Sequence, residues 1–292
     1  MQSFFSERII LIIVIALVGI LLFLFFFLEK KTPLTDKLVI KTESLNKTSS
    51  IIGESVERRK IEEYTYGDGK THLLFVGGIH GGYEWNTVIL AYRFMDYFEA
   101  NPNLIPKNLT VTIIPSANPD GLYKIVGKEG RLTTDDVPKG STASGRFNAN
   151  EVDLNRNFDC KWQPKSTWKN NVVSAGTEAF SEPEARAIRD FVLKNNPKAV
   201  IFWHSQANTV YASKCEGGII PETLKIMNLY AKASGYNAES SFNAYETTGD
   251  AEGWLAKIGI PAITVELETH QTIDWAENLA GLRALFGYYG AR

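Results

Sequence analysis

Cysteine is scarce in this chain, with two residues in 292, and histidine is hardly commoner, with four. So few cysteines exclude a scaffold built on disulfides. An excess of one charge is absent too. Lys+Arg is 31 and Asp+Glu is 33, a net charge of −2 that gives no electrostatic footprint for nucleic acid. No internal repeat, low-complexity tract or heptad seam is present. With 44% hydrophobic residues, 23 Gly and 11 Pro, collagen and disorder are excluded as well. Long apolar runs are missing with one exception, and that exception sets the domain organisation.

Residues 9–28 (IILIIVIALVGILLFLFFFL) carry no charge or strongly polar group. At about 1.5 Å per residue such a helix spans about 30 Å, the thickness of a bilayer hydrocarbon core. Glu7 and Arg8 close one end, and Glu29, Lys30 and Lys31 the other. A cleaved signal peptide is the competing reading. Its apolar core is usually shorter and is followed by a small-x-small cleavage site, whereas EKKTPLTDK follows here. The expectation is one uncleaved, single-pass N-terminal transmembrane helix at 9–28, a polar stalk at 29–50 and one domain at 51–292. Lys30, Lys31, Lys37 and Lys41, counted naively, keep that domain in the cytoplasm; long domains translocate largely regardless of charge. An extracytoplasmic domain is the expectation carried forward, with the other side left open.

Within the domain, residues 72–79, 109–114, 198–203 and 262–267 are short apolar runs of the kind found in strands buried on both faces. Residues 84–99, 181–195, 221–234 and 274–289 have helical spacing of apolar positions. Ser181 and Glu184 have capping-box spacing, with Pro183 in the first turn. Alternating strands and helices predict an α/β fold, a three-layer α/β/α domain on a central mixed, mostly parallel sheet.

His80 follows the first of these strands, His204 follows the third and Glu266 ends the fourth. Sites in open α/β sheets gather outside the carboxyl ends of strands, so these groups face one crevice if the strands are neighbours. Glu84 lies four residues after His80, a spacing that lets both converge on one ion if a helix begins near Gly82. Two histidines and a carboxylate form a common catalytic zinc set with a fourth position open. His72 and His270 are read as structural or surface residues.

The segments GGIHGGYEWNT, IPSANPDG, EVDLNRNF, FWHSQ, YETTGDAEGW and TVEL stand in the order of the M14 (carboxypeptidase A-like) zinc carboxypeptidases. From about Leu73 to the C-terminus the chain resembles that family, and in motif style its bacterial murein-peptide and γ-D-glutamyl-diamino acid peptidases. The resemblance implies one zinc ion held by His80, Glu84 and His204, with Asp153 orienting the first histidine. It implies that Asn155 and Arg156 grip the substrate's terminal carboxylate and that Tyr245 closes over it. Glu266 is then the general base. Arg146 is the candidate for polarising the scissile carbonyl, with Arg131 the runner-up. The family's first motif is usually H-x-x-E. Here it reads H-G-G-Y-E, and aligning Trp85 places the ligand at Glu84, with glycines 81 and 82 absorbing the extra residue.

Counting from Tyr245 along the family's specificity loop brings Glu252 to the position that reads the substrate side chain. A carboxylate there suits Lys, Arg or a diamino acid; alternatively Glu252 or Asp250 merely caps a short helix. The implied activity is hydrolysis of a peptide or amide bond near a substrate C-terminus, on peptides or muropeptides. A zinc deacylase acting on small acylated amino acids and an inactive membrane-tethered peptide-binding module are the alternatives. Cys160 and Cys215 lie on loops leaving the site motifs, either bridged or as two free thiols. Neither has ligand spacing to a second Cys or His.

Overall fold

The four apolar runs form the four adjacent parallel strands at the centre of the domain. In the computed structural model, which describes residues 17–23 and 45–292, ten strands form in chain order. They are β1 (Lys47–Glu54), β2 (Lys60–Tyr66), β3 (Thr71–Val76), β4 (Leu109–Ile114), β5 (Lys165–Trp168), β6 (Asn171–Ser174), β7 (Ala199–Ser205), β8 (Thr209–Ala212), β9 (Asn237–Glu239) and β10 (Ala262–Leu267). Eight of them make one mixed sheet in the order β1-β2-β4-β3-β7-β10-β8-β9. Strands β4, β3, β7 and β10 run parallel; β1 and β2 extend one side antiparallel, and β8 joins β10 antiparallel. β5 and β6 form a separate hairpin.

Alternation along the strands sends side chains to both faces. Leu73 and Phe75 enter one core with Trp203, while Leu74 and Val76 enter the other with Phe202. Burial on both faces is why these strands read as continuous apolar runs. Helices α1 (Trp85–Ala100), α2 (Pro119–Val126), α3 (Pro183–Asn195), α4 (Pro221–Ser234), α5 (Ala251–Lys257) and α6 (Trp275–Gly290) supply the outer layers. Val88, Ala91, Phe94, Met95 and Phe98 of α1 join Ile226 and Tyr230 of α4 and Leu282, Leu285 and Phe286 of α6 in the first core. Ala185, Ile188 and Val192 of α3 and Trp254 and Leu255 of α5 cover the opposite face. The expected three-layer domain is therefore present.

Some local expectations change. β1 begins at Lys47, so residues 47–50 of the expected stalk are strand paired with β2. The Ser181–Glu184 capping box does not form. Pro183 starts α3, which makes Glu182 the N-cap, and the Glu184 carboxylate turns instead to the Val56 amide and Asn148 Nδ2. Cys160 and Cys215 are joined by a disulfide. The chain divides into two compact units, Met1–Glu43 and Ser44–Arg292. Of the expected membrane segment 9–28, residues 17–23 are described and helical, and the rest lies outside the described residues, as does the stalk up to residue 44. Among the described residues no helix is long and apolar enough to cross a membrane.

Candidate active site

Three of the central strands deliver the site. β10 pairs with β7 so that Glu266 sits opposite His204. β3 neighbours β7 and runs out through Gly77 and Gly78 to His80. Residues Gly81–Glu84 then make one 3-10 turn before α1 begins at Trp85. The extra residue of H-G-G-Y-E is taken up in this turn. Gly81 has φ +44°, and a Cβ there would meet Gly145 O at 2.7 Å. A Cβ on Gly82 would meet the Ile125 side chain at 2.5 Å. Only glycine accommodates both demands.

The turn brings His80, Glu84 and His204 together, all buried, with one ligand atom from each within 4.8 Å of the others. His80 Nδ1 lies 2.8 Å from Glu84 Oε1, and His204 Nδ1 lies 3.0 Å from Glu84 Oε2. The two Nδ1 atoms are 3.2 Å apart. Despite that approach, Glu84 Oε2 is buried without a hydrogen-bond partner among the described residues. Two imidazole nitrogens and a carboxylate oxygen turned toward one point fit a zinc ion better than they fit one another. Burial raises the Glu84 pKa, but His80 and His204 overcome it and hold the carboxyl well below its usual range. His204 is displaced upward: burial opposes its charge, and Glu84 and Glu252 outweigh that.

Each histidine also has a carboxylate on its far side. Asp153 Oδ1 lies 3.4 Å from His80 Nε2, and Asp153 Oδ2 accepts from Arg146 Nε at 2.8 Å. Burial works against the Asp153 charge, yet Arg146, Arg156 and His80 keep its pKa far below normal. Glu252 Oε1 lies 3.1 Å from His204 Nε2 and accepts from Thr264 Oγ1 at 3.0 Å. The sequence suggested that Glu252 reads a substrate side chain or caps a helix. Asp250 does the capping, accepting from the Gly253 amide at 2.7 Å, and Glu252 is turned to His204.

The triad opens into a cavity of about 580 Å³ that Arg146, Asn155, Arg156, Tyr245 and Glu266 also line. Arg156 is held by Thr167 O through Nε and Nη2, at 3.2 and 3.1 Å, and meets no carboxylate at ion-pair distance among the described residues. Asn155 Oδ1 accepts from the Ala251 amide at 2.8 Å. Tyr245 packs on Phe242 at 4.8 Å between ring centres. Burial first, and then the neighbouring Glu84 charge, push the Glu266 carboxyl up to about 8. Arg131, the runner-up to Arg146, is elsewhere, paired with Asp96 at 2.9 Å on the surface.

Further side chains line the cavity as well. Tyr83 sits in the inserted motif, and Trp168 and Lys169 ride on the β5–β6 hairpin. His270, expected to be structural or exposed, packs on Tyr83 at 4.5 Å, and its Nδ1 lies 2.7 Å from Ser205 Oγ. His270 thus has the structural contacts expected of it and, lying just after β10, also lines the cavity.

A family model described as zinc carboxypeptidase (peptidase M14) matches residues 34–282. The chain belongs to the zinc carboxypeptidase family. Among curated members, a γ-D-glutamyl-L-diamino acid endopeptidase of Lysinibacillus sphaericus is 25% identical over 238 residues, covering 74% of this chain and 59% of that protein. Carboxypeptidase O of Bos taurus is 28% identical over 218 residues, covering 67% of this chain and 56% of that protein. The chain thus spans a little under three-fifths of these two relatives. In fold it resembles the carboxypeptidase A of Helicoverpa armigera, with a TM-score of 0.64 at 21% identity, covering 84% of this chain and 68% of that one. It also resembles a murein-tripeptide amidase of Escherichia coli O157, with a TM-score of 0.59 at 21% identity, covering 82% and 91%. The family uses zinc, and His80, Glu84 and His204 form the site available for it.

Proposed function

We propose that this chain is a zinc-dependent metallocarboxypeptidase that hydrolyses a peptide or amide bond near a substrate C-terminus. The observation that carries the reading is the joint arrival of the His80–Glu84–His204 set, the half-buried Glu266 and an Arg156 guanidinium held by backbone carbonyls with no carboxylate partner among the described residues, all in one cavity. When bound, zinc polarises a carbonyl and lowers the pKa of water toward about 7. With the charge of a bound zinc ion favouring its ionised form, Glu266 would accept the proton of the attacking water and return it to the leaving amine. Arg146, held by Asp153, faces the charge that develops on the carbonyl oxygen. Arg156 and Asn155 take the substrate's terminal carboxylate, for which a guanidinium fork gives directional recognition. Tyr245 closes over it.

Asp250 and Glu252 make one end of the cavity acidic, which supports substrates with a basic or diamino acid residue after the scissile bond, cell-wall peptides among them. The named substrate of the Lysinibacillus relative supports the same class. We also propose that residues 9–28 anchor the chain in a membrane with the domain on the extracytoplasmic side. The uncharged run and the Cys160–Cys215 bridge support this, because disulfides persist in oxidising compartments. A zinc determination together with turnover of C-terminal peptides, muropeptides and acylated amino acids tests the activity. Loss of peptide turnover alongside deacylation would overturn it, as would zinc-loaded protein that turns over none of them. Equal rates on substrates ending in Lys and in Leu would overturn the basic preference. Protease protection in oriented membrane vesicles tests the side.

A further inference from the structure

The cavity is lined by both acidic and basic side chains, and its Lys169 wall has no assigned ligand. One part of its lining is made by Asp250, Glu252 and Asn155, which meet at the start of α5 and adjoin His204. In another part Tyr83, next to the ligand Glu84, packs on Trp168 at 5.2 Å and on His270 at 4.5 Å. Lys169 reaches over this aromatic wall. Its Nζ donates to Tyr83 Oη at 3.2 Å and lies 5.5 Å from the Trp168 ring centre. It meets no carboxylate at ion-pair distance among the described residues.

The backbone marks the same residue. Lys169 and Asn170 form the two-residue tip of the β5–β6 hairpin, and Lys169 sits there at φ +55°. Gly or Asn is the usual occupant of such a position, and a long side chain in it carries a conformational cost. The hairpin is fixed to the site, since Thr167 O accepts from Arg156 and the Arg146 guanidinium stacks on Trp168 at 4.8 Å. A strained, anchored tip thus holds an ammonium group without an acidic partner among the described residues at the part of the cavity lined by Tyr83 and Trp168.

We propose that Lys169, backed by Tyr83 and Trp168, is a subsite for a carboxylate on the acyl side of the scissile bond. This rests on the peptidase reading, which places the leaving amine toward Arg156 and Glu252. A γ-linked glutamyl residue meets the requirement chemically, because its amide uses the side-chain carboxyl and leaves the α-carboxylate free. A substrate with an acid before the bond and an amine after it is complementary to a lining that offers both Lys169 and the Asp250–Glu252 carboxylates.

The test compares two synthetic peptides, L-Ala-γ-D-Glu-L-Lys and its isoglutamine counterpart, in which the α-carboxylate is a carboxamide. Binding is measured calorimetrically on zinc-loaded Glu266→Gln protein, which separates recognition from turnover. The carboxylate peptide is expected to bind about tenfold tighter, as a charge-assisted hydrogen bond implies. Adding Lys169→Gln should bring the ratio close to one, and Lys169→Arg should restore it. Equal binding of the two peptides, which needs no hairpin variant to observe, would overturn the subsite. Turnover by the wild-type enzyme is scored separately. Cleavage of both peptides at equal rates defeats the subsite and leaves the peptidase standing. Selective binding without cleavage supports the subsite and defeats the peptidase.

Discussion

Replacing Glu252 distinguishes two roles for one carboxylate. Its side chain is 2% exposed at the residue level, with Oε1 3.1 Å from His204 Nε2 and 3.0 Å from Thr264 Oγ1. His204 Nδ1 is turned to Glu84 and His80, so a metal at that nitrogen requires the proton on Nε2, where Glu252 accepts it. Such a partner fixes the tautomer and ring orientation and raises ligand basicity; its loss typically costs about 10- to 100-fold in metal affinity. Glu252→Gln keeps an acceptor oxygen and removes the charge, so a loss near tenfold is expected, about 1.4 kcal/mol. Glu252→Leu removes both and should approach a hundredfold, about 2.7 kcal/mol. Zinc affinity measured by competition with a chromophoric chelator gives these ratios, and circular dichroism checks the fold. If instead Glu252 acts only on the substrate, zinc affinity stays at the wild-type value and KM rises for Lys-terminated peptides alone. That result would refute the positioning argument.

Other expectations follow from single contacts. Glu84→Ala should cut zinc occupancy sharply, since it removes one of three ligands, and full retention by metal analysis would remove Glu84 from the set. The Cys160–Cys215 bridge joins residues 55 apart, so Cys160→Ser with Cys215→Ser should cost about 4 kcal/mol in urea unfolding, and a change below about 1 kcal/mol would contradict the loop-closure argument. Burial, with Asn148 and the Val56 amide opposing it, pushes the Glu184 carboxyl up to about 7 from 4.5. The folded chain therefore binds more protons than the unfolded one between those values. This contribution is complete below pH 4.5 and is lost as pH rises through 7, for about 3 kcal/mol. Glu184→Gln should flatten that part of the stability profile, and parallel profiles for the two proteins would defeat the assignment.

What could be read from residues alone followed how locally each feature is determined. β3, β4, β7 and β10 are buried on both faces, so composition marks them without knowledge of their neighbours. β1 and β2 (KTSSIIGE and KIEEYTY) are polar strands at the margin of the sheet, and only their antiparallel pairing makes them strands. The capping box failed because Pro183 fixes the helix start one residue away from where the spacing placed it. At the site, His204 and Glu266 lie near the ends of β7 and β10 while His80 and Glu84 follow β3, and strand order decides that they meet. The partner of Glu252 lies on a different strand from its own helix, and no spacing reveals it. Tyr83 was present in the motif as a spacer residue. Its contacts with His270 and Trp168 cross long sequence separations and have no local signal.

The segment from Arg146 to Arg156 shows why motif rather than periodicity carried much of this site. It supplies Arg146, Asp153, Asn155 and Arg156 from two 3-10 turns and the chain between them. Such a segment has no long ladder of backbone bonds to hold it, and side chains take over that task. Asn148 Oδ1 accepts from the Asn150 and Val152 amides, and Asp153 Oδ1 accepts from the Asn155 amide. The Asp153 amide donates to Ser174 O on the hairpin strand β6, tying the segment to the β5–β6 hairpin. Asn and Asp are suited to this because their short side chains bond the backbone of nearby residues, here two and four positions onward. Asp153 thereby has three duties: it shapes the turn, meets His80 and holds Arg146. The proposed metal ligand His80 and the proposed oxyanion donor Arg146 are thus both held by one carboxylate. Displacing it would disturb both together, and the separate contribution of either could not be recovered from that single substitution.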